Sequence, residues 1–127
     1  MGYWSNPNTV VITDVIGPGS NAKHNRYSFH PDIEYHTAEI NRIYSQSGRV
    51  NTYLGDWHTH PKGAARTSQK DRKTLNAIAS FPDARTPRPL MAIMAGSRGW
   101  KLAVWSWQGR DFLWNAKVAL VEVKQFD

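Results

Sequence analysis

Two histidines, a serine and an aspartate lie near the middle of the chain at spacings that suit metal chemistry. His58 and His60 are separated by one residue, and Ser68 and Asp71 follow with two residues between them. Side chains two apart on a strand point to the same face, so the two imidazoles would lie side by side. Two neutral imidazoles and one carboxylate form a three-ligand zinc set whose fourth position is open for water, as in catalytic sites. These residues therefore predict one Zn²⁺ per chain, bound by His58, His60 and Asp71.

A strand, a loop and a helix must position these side chains. We predict a strand that begins at 51–54 and ends at Pro61, because proline cannot donate a hydrogen bond to a sheet. A loop then leads into a helix that starts near Ser68 and runs to about Ser80. In the first turn of that helix Ser68 and Asp71 share a face.

The same residues also have an ordinary structural explanation. Ser68 could serve only as a helix cap, accepting a hydrogen bond from the backbone, while Asp71 favours the positive end of the helix. A His-x-His pair on a strand is, taken alone, more often ordinary than metal-binding. The spacing of all four residues together favours a metal site, and capping is compatible with metal binding.

The whole stretch resembles the JAMM (JAB/MPN-plus) metallopeptidase family, whose signature is His-x-His followed by Ser-x-x-Asp at a fixed distance. Here His58-Thr59-His60, Ser68 and Asp71 match it, and the flanking Leu54-Gly55-Asp56-Trp57 and Pro61 are also similar to the family. The resemblance implies the two histidines and Asp71 as zinc ligands, and Ser68 as the hydroxyl that supports the oxyanion.

The resemblance also implies a fold and a substrate. The fold would be cytidine-deaminase-like, a mixed β-sheet flanked by helices, in a compact member of the prokaryotic type. The reaction would be hydrolysis of peptide or isopeptide bonds, removing or processing the tails of ubiquitin-like proteins or other protein substrates. A non-catalytic MPN-like interaction module is the alternative within the same family.

The family pattern further contains a glutamate on an early strand, which acts as the general base. The segment 1–4 resembles the residues that follow this glutamate, so we expect the chain to start just after it, without the first strand and N-terminal helix. Glu34 and Glu39 are better explained as the solvated face of a helix. Because general acid–base catalysis contributes about 10²–10⁴-fold, we expect a chain that binds zinc but hydrolyses slowly. The exposed sheet edge would favour homo-oligomers.

The rest of the chain predicts one mixed α+β domain over residues 1–127, because predicted helices and strands alternate. A second helix is predicted from Ile33 to Ser47. The remaining predicted strands are Thr9–Ile16, Arg26–Phe29, Leu90–Ala95, Trp100–Trp107 and Phe112–Val123, of which the last three would form an antiparallel meander.

Composition limits the classes of function. The 127 residues carry a net charge of +6 and contain no cysteine, so a zinc site must use histidine and carboxylate ligands. The basic residues are scattered and form no nucleic-acid motif, which favours a solvated surface over nucleic-acid binding despite six tryptophans. No apolar run approaches the ~18 residues of a membrane span, and a cytoplasmic protein is expected.

Overall fold

The computed structural model describes residues 1–25 and 28–126. Its contacts divide the chain into two compact units, one formed by Met1–Tyr53 and one that begins at Leu54. Each unit has its own strands and one helix. The mixed α+β class predicted from the sequence is confirmed, and the single domain over residues 1–127 stays a prediction.

The first unit contains two antiparallel hairpins. Strand β1 (Gly2–Asn6) pairs with β2 (Thr9–Ile12), and the short strands β3 (Lys23–His24) and β4 (Phe29–His30) pair with each other. Of the predicted strand Arg26–Phe29, the first two residues lie outside the described residues.

Helix α1 (Ile33–Gln46) follows these hairpins. It begins where predicted, because the Asp32 carboxylate accepts a hydrogen bond from the backbone nitrogen of Tyr35 at 3.1 Å, which satisfies one free donor of the first turn. It ends one residue before the predicted Ser47, whose backbone nitrogen still donates to the carbonyl oxygen of Ile43.

The second unit is a four-stranded sheet with one helix on it. The strands are β5 (Gly55–Pro61), β6 (Leu90–Gly96), β7 (Trp100–Arg110) and β8 (Ala116–Val121), adjacent in that order. The first pair is parallel and the other two are antiparallel, so the predicted meander is confirmed. Parallel strands need a crossover, and helix α2 (Gln69–Ser80) supplies it.

The core of this unit lies between α2 and one face of the sheet. Leu75 of α2 and Ile93 of β6 are completely buried, and Met91 and Ala95 on the same face of β6 join them. Burying such side chains contributes roughly 1.5–3 kcal/mol each. Trp105 is partly buried and packs against this cluster.

The strand that carries the two histidines is shorter than predicted. Residues 51–54 do not belong to it, because the first residue paired with β6 is Gly55, opposite Leu90. Thr52 instead exchanges two backbone hydrogen bonds with Gly2. The predicted strand Thr9–Ile16 likewise ends at Ile12, where its pairing with β1 ends.

The end of the meander also differs from the prediction. Strand β7 continues past the predicted end at Trp107 to Arg110, with an irregular register between these two residues that includes Gly109, where φ is 102°. Strand β8 starts at Ala116 rather than at Phe112, because the Asp111 carboxylate accepts hydrogen bonds from backbone nitrogens two and four residues later and closes a turn. Strand propensity alone does not predict these hydrogen bonds of the Asp111 side chain.

Gly55 meets a steric requirement at the start of β5. Its φ is 151°, and a Cβ atom there would lie 1.9 Å from the carbonyl oxygen of Leu90. Any larger residue would therefore push β5 away from β6 at the point where the two strands first pair.

We predict that Gly55→Ala lowers the free energy of unfolding by at least about 2 kcal/mol, because the clash is with backbone that cannot rotate away. Gly99→Ala is the matched control, since nothing lies within 4 Å of a Cβ atom at that position. Denaturant unfolding followed by tryptophan fluorescence measures both variants. Equal stability of the two would contradict the role given to Gly55.

Candidate metal centre

The described structure brings three of the four predicted site residues into one cluster. The side chains of His58 and His60 lie on one face of β5, and Asp71 lies in the first turn of α2. Their ligand atoms all fall within 4.8 Å of one another, and among the described residues no other group of three or more His, Cys, Asp or Glu side chains does so.

The face of the sheet explains how these groups meet. In the parallel pair, His58 lies opposite Ile93 and His60 lies opposite Ala95. Both β6 residues are buried against α2, so the imidazoles share the face that the helix covers. Leu75, one turn after Asp71, anchors the helix to the same face.

The distances within the cluster are short. The Nε2 atoms of His58 and His60 are 2.8 Å apart. The Asp71 carboxylate oxygens lie 3.2 Å from the His58 Nε2 atom and 3.7 Å from the His60 Nε2 atom. Two imidazole nitrogens at such a distance need a proton or a cation between their lone pairs.

A hydrogen bond outside the cluster orients His60. Its Nδ1 atom lies 3.0 Å from the carbonyl oxygen of Ala64, which can only accept. The proton therefore sits on Nδ1, and the Nε2 lone pair faces the cluster. The Trp105 indole nitrogen donates to the carbonyl oxygen of Ala65 at 3.0 Å and ties the same loop to the sheet.

A reciprocal pair of hydrogen bonds orients Asp71. Its carboxylate accepts from the backbone nitrogen of Ser68 at 2.6 Å, and its own backbone nitrogen donates to the Ser68 hydroxyl oxygen at 3.1 Å. This capping box starts α2 and is the arrangement that the helix-cap explanation requires. Since the other carboxylate oxygen still faces His58, the cap and the cluster coexist.

The electrostatics of the cluster favour neutral histidine. Burial lowers the pKa of His58, and the negative charge of Asp71 offsets part of that change. A neutral imidazole is the form that binds a metal ion. Asp71 itself is buried, and a carboxylate removed from water requires a positive partner.

Asp56 is a neighbouring residue that sequence reasoning missed. It precedes His58 by two residues, lies on the same face of β5 opposite Met91, and its charge acts to raise the pKa of His58. The two-residue alternation that places the histidines together extends to Asp56 and could have found it.

The donor set fits a tetrahedral metal ion. Ligand atoms at 2.0–2.1 Å from a tetrahedral zinc ion are separated from one another by about 3.3 Å. Two separations here lie close to that value, 2.8 Å between the two Nε2 atoms and 3.2 Å from the His58 Nε2 atom to one Asp71 oxygen. The 3.7 Å from the His60 Nε2 atom is to the other Asp71 oxygen, and one ligand atom from each residue fits within 4.8 Å. The His58 side chain is one third exposed, so the cluster can be reached from solvent.

The mixed sheet carries a His-His-Asp cluster over its parallel pair, and comparison with known proteins gives the family. The sequence pattern of prokaryotic homologs of the JAB domain matches residues 4–109. The chain belongs to this family, and the JAMM resemblance noted from the sequence is confirmed.

Curated relatives of this chain are named as a probable metalloprotease or as isopeptidases. A probable metalloprotease, y4qB, of Sinorhizobium fredii is 48% identical over 107 residues, covering 83% of this chain and 65% of the relative. A CD-NTase/cGAS isopeptidase of Escherichia coli is 34% identical over 58% of this chain and 48% of the relative. A CD-NTase/cGAS isopeptidase of Vibrio cholerae is 32% identical over 50% of this chain and 40% of the relative. The chain thus spans less than two thirds of the length of these relatives.

No helix in residues 1–25 or 28–126 is long and apolar enough to cross a membrane.

We predict that His58→Ala removes bound metal and that His30→Ala, which changes an exposed histidine outside the cluster, does not. The reason is that two remaining ligands hold a metal ion far more weakly than three. Metal content by plasma mass spectrometry and the rise in Tm on adding zinc to chelator-treated protein measure the effect. Full metal content in His58→Ala/His60→Ala would exclude this site.

Proposed function

We propose that the protein is a zinc-dependent hydrolase of peptide or isopeptide bonds in protein substrates. The observation that carries the proposal is the convergence of His58, His60 and Asp71 at separations suited to a tetrahedral ion. The names of the relatives, metalloprotease and isopeptidase, support the reaction class. Bound zinc would polarise the scissile carbonyl as a Lewis acid and make water nucleophilic near neutral pH.

In this proposal the protein contributes fixed orientation. Asp71 cannot turn away from the cluster, because its carboxylate is held by the backbone nitrogen of Ser68. His60 cannot flip without losing its hydrogen bond to Ala64. Such support from outside the ligand shell usually changes metal affinity or activity by 10–100-fold.

Ser68 would act on the substrate as a hydrogen-bond donor. Its oxygen accepts from the backbone nitrogen of Asp71, so its hydroxyl proton is available for another group. We assign that proton to the developing oxyanion of the scissile carbonyl. Preorganised donors of this kind contribute about 10²–10³ in rate.

The names of the relatives and the family resemblance support two candidate classes of substrate. Tails of ubiquitin-like proteins are one candidate, and proteins of the CD-NTase/cGAS class, named in two of the relatives, are another. A non-catalytic interaction module remains the alternative, and such modules usually lose the ligand set that this chain retains.

The reaction is tested with paired peptides that differ only in the amine, one joined through a lysine ε-amine and one through an α-amine. We expect the protein to cleave at least one of them slowly, to lose activity with a chelator and to regain it with zinc. His30→Ala should behave as the wild type. Stoichiometric zinc without cleavage of either peptide would favour the non-catalytic module.

We predict that Ser68→Ala lowers kcat by about 10²–10³ with little loss of zinc, because one oxyanion donor is removed. It should also lower the free energy of unfolding by ~1 kcal/mol through loss of the cap. Ser68→Thr keeps a hydroxyl and a cap, so it should retain most of the kcat and most of the free energy of unfolding. Unchanged kcat in Ser68→Ala, with only the stability loss, would leave Ser68 a capping role alone.

A further inference from the structure

Three consecutive large apolar side chains are exposed in the turn between β7 and β8. Phe112 is 90% exposed, Leu113 is 65% exposed and Trp114 is 74% exposed. Single exposed apolar residues are common on protein surfaces, whereas a contiguous group marks an interaction site. We call residues 112–114 the apolar turn.

The apolar turn is held rigidly. The Asp111 carboxylate accepts hydrogen bonds from the backbone nitrogens of Leu113 and Asn115, at 2.8 and 3.0 Å. The carbonyl oxygen of Trp114 accepts from the Asn76 side chain at 3.0 Å, which fixes the turn to α2. The Arg110 guanidinium also lies 5.8 Å from the centre of the Trp114 ring. The backbone of the turn is therefore ordered before a ligand binds, which lowers the ordering cost of binding.

An open groove of about 820 Å³ runs beside the apolar turn. One wall is the face of α2 that carries Arg72, Lys73 and Asn76, and the other wall contains Trp114 and Lys117. With a rise of about 1.5 Å per residue, this part of α2 gives the groove a length suited to several extended residues.

One end of the groove lies at the start of α2. Thr67 and Gln69 line it, and they flank Ser68 on either side in the sequence. A chain segment lying in the groove would therefore reach the start of α2, along a face of the helix different from the one that carries Asp71.

The charge of the groove is positive. It contains three cations, Arg72, Lys73 and Lys117, and a single acid, Asp111, whose carboxylate is engaged in closing the turn. Within the described residues, neither Lys73 nor Lys117 has a carboxylate within the 4.0 Å of an ion pair. Such a groove favours an acidic ligand.

We propose that this basic groove and the apolar turn together bind an extended acidic segment of the protein substrate, with apolar side chains that pack on the turn. The inference rests on the proposed function, because it gives that substrate a recognition element on the helix whose first turn carries Asp71. Acidic side chains would contact Lys73 and Lys117, and apolar ones would contact Phe112 and Leu113.

Two other occupants fit the surface less well. A second copy of this chain carries 16 basic and 10 acidic residues, so it offers poor charge complementarity to the groove. A membrane surface could receive the apolar turn, but it cannot enter a groove whose walls are a helix and a strand. An extended peptide satisfies both features at once.

The test uses two fluorescein-labelled decapeptides, one with alternating Glu and Leu residues and one with Gln in place of Glu. Binding to the full chain is followed by fluorescence anisotropy. We expect the acidic peptide to bind at least about tenfold more tightly, and to weaken as NaCl rises from about 0.05 M to about 0.5 M, because exposed charges are screened.

Paired variants separate the two features. Lys73→Glu/Lys117→Glu should weaken binding of the acidic peptide at least about tenfold, whereas Lys23→Glu, an exposed lysine outside the groove lining, should not. Phe112→Ser/Leu113→Ser should weaken binding of both peptides severalfold. Leu120→Ser is its control, since Leu120 is 63% exposed and Leu113 is 65% exposed.

Equal binding of the two peptides, or equal binding by the groove variant and its control, would overturn the proposal. Concentration-dependent dimers abolished by Phe112→Ser/Leu113→Ser would assign the turn to a second copy instead. Cosedimentation with phosphatidylglycerol vesicles, lost in the same variant and without peptide binding, would assign it to a membrane. Binding is measured separately from cleavage, so absence of hydrolysis would contradict only the proposed function.

Discussion

The carboxylate of Asp71 is the constraint on which the site depends. One oxygen accepts a hydrogen bond from the backbone nitrogen of Ser68 and starts α2, and the other faces the imidazole of His58. A buried carboxylate with only one of these partners would be costly, because removal from water is repaid only by complete pairing. Helix initiation and the candidate metal centre therefore use the same side chain, and a change at Asp71 affects both.

The parallel pairing of β5 and β6 is what brings this carboxylate over the histidines. A parallel pair requires a crossover helix, and burial of Leu75 against Ile93 fixes where that helix lies. The close backbone contact at Gly55 then sets the start of β5, and so the positions of the histidines relative to β6. Packing far from any ligand atom thus determines the geometry of the cluster.

Much of the site could be predicted from sequence because its determinants are local. The two-residue alternation placed His58 and His60 on one face, and the spacing of Ser68 and Asp71 predicted the helix start. The alternation was not followed back to Asp56, although the same rule applied. The predicted role of Ser68 at the oxyanion remains a prediction.

The elements that were mispredicted depend on partners distant in the chain. The predicted strand does not continue past Ile12, because its ladder with β1 ends at the pair of Gly2 and Ile12. The start of β8 moves to Ala116 because a side chain, Asp111, closes the preceding turn. Strand propensity shows that a segment can form a strand, and hydrogen-bonded pairing with a neighbouring strand determines whether it does.

The ligands of the candidate metal centre all come from residues 58–71, one strand and the first turn of the next helix. A set drawn from so short a segment has a low contact order, so its loop-closure cost is small and is met early in folding. The β7–β8 pairing that completes the sheet comes from later in the chain. A metal ion at this candidate centre would therefore be able to join the chain while the sheet is still incomplete, and its concentration would influence the rate at which the native state forms as well as the stability of that state.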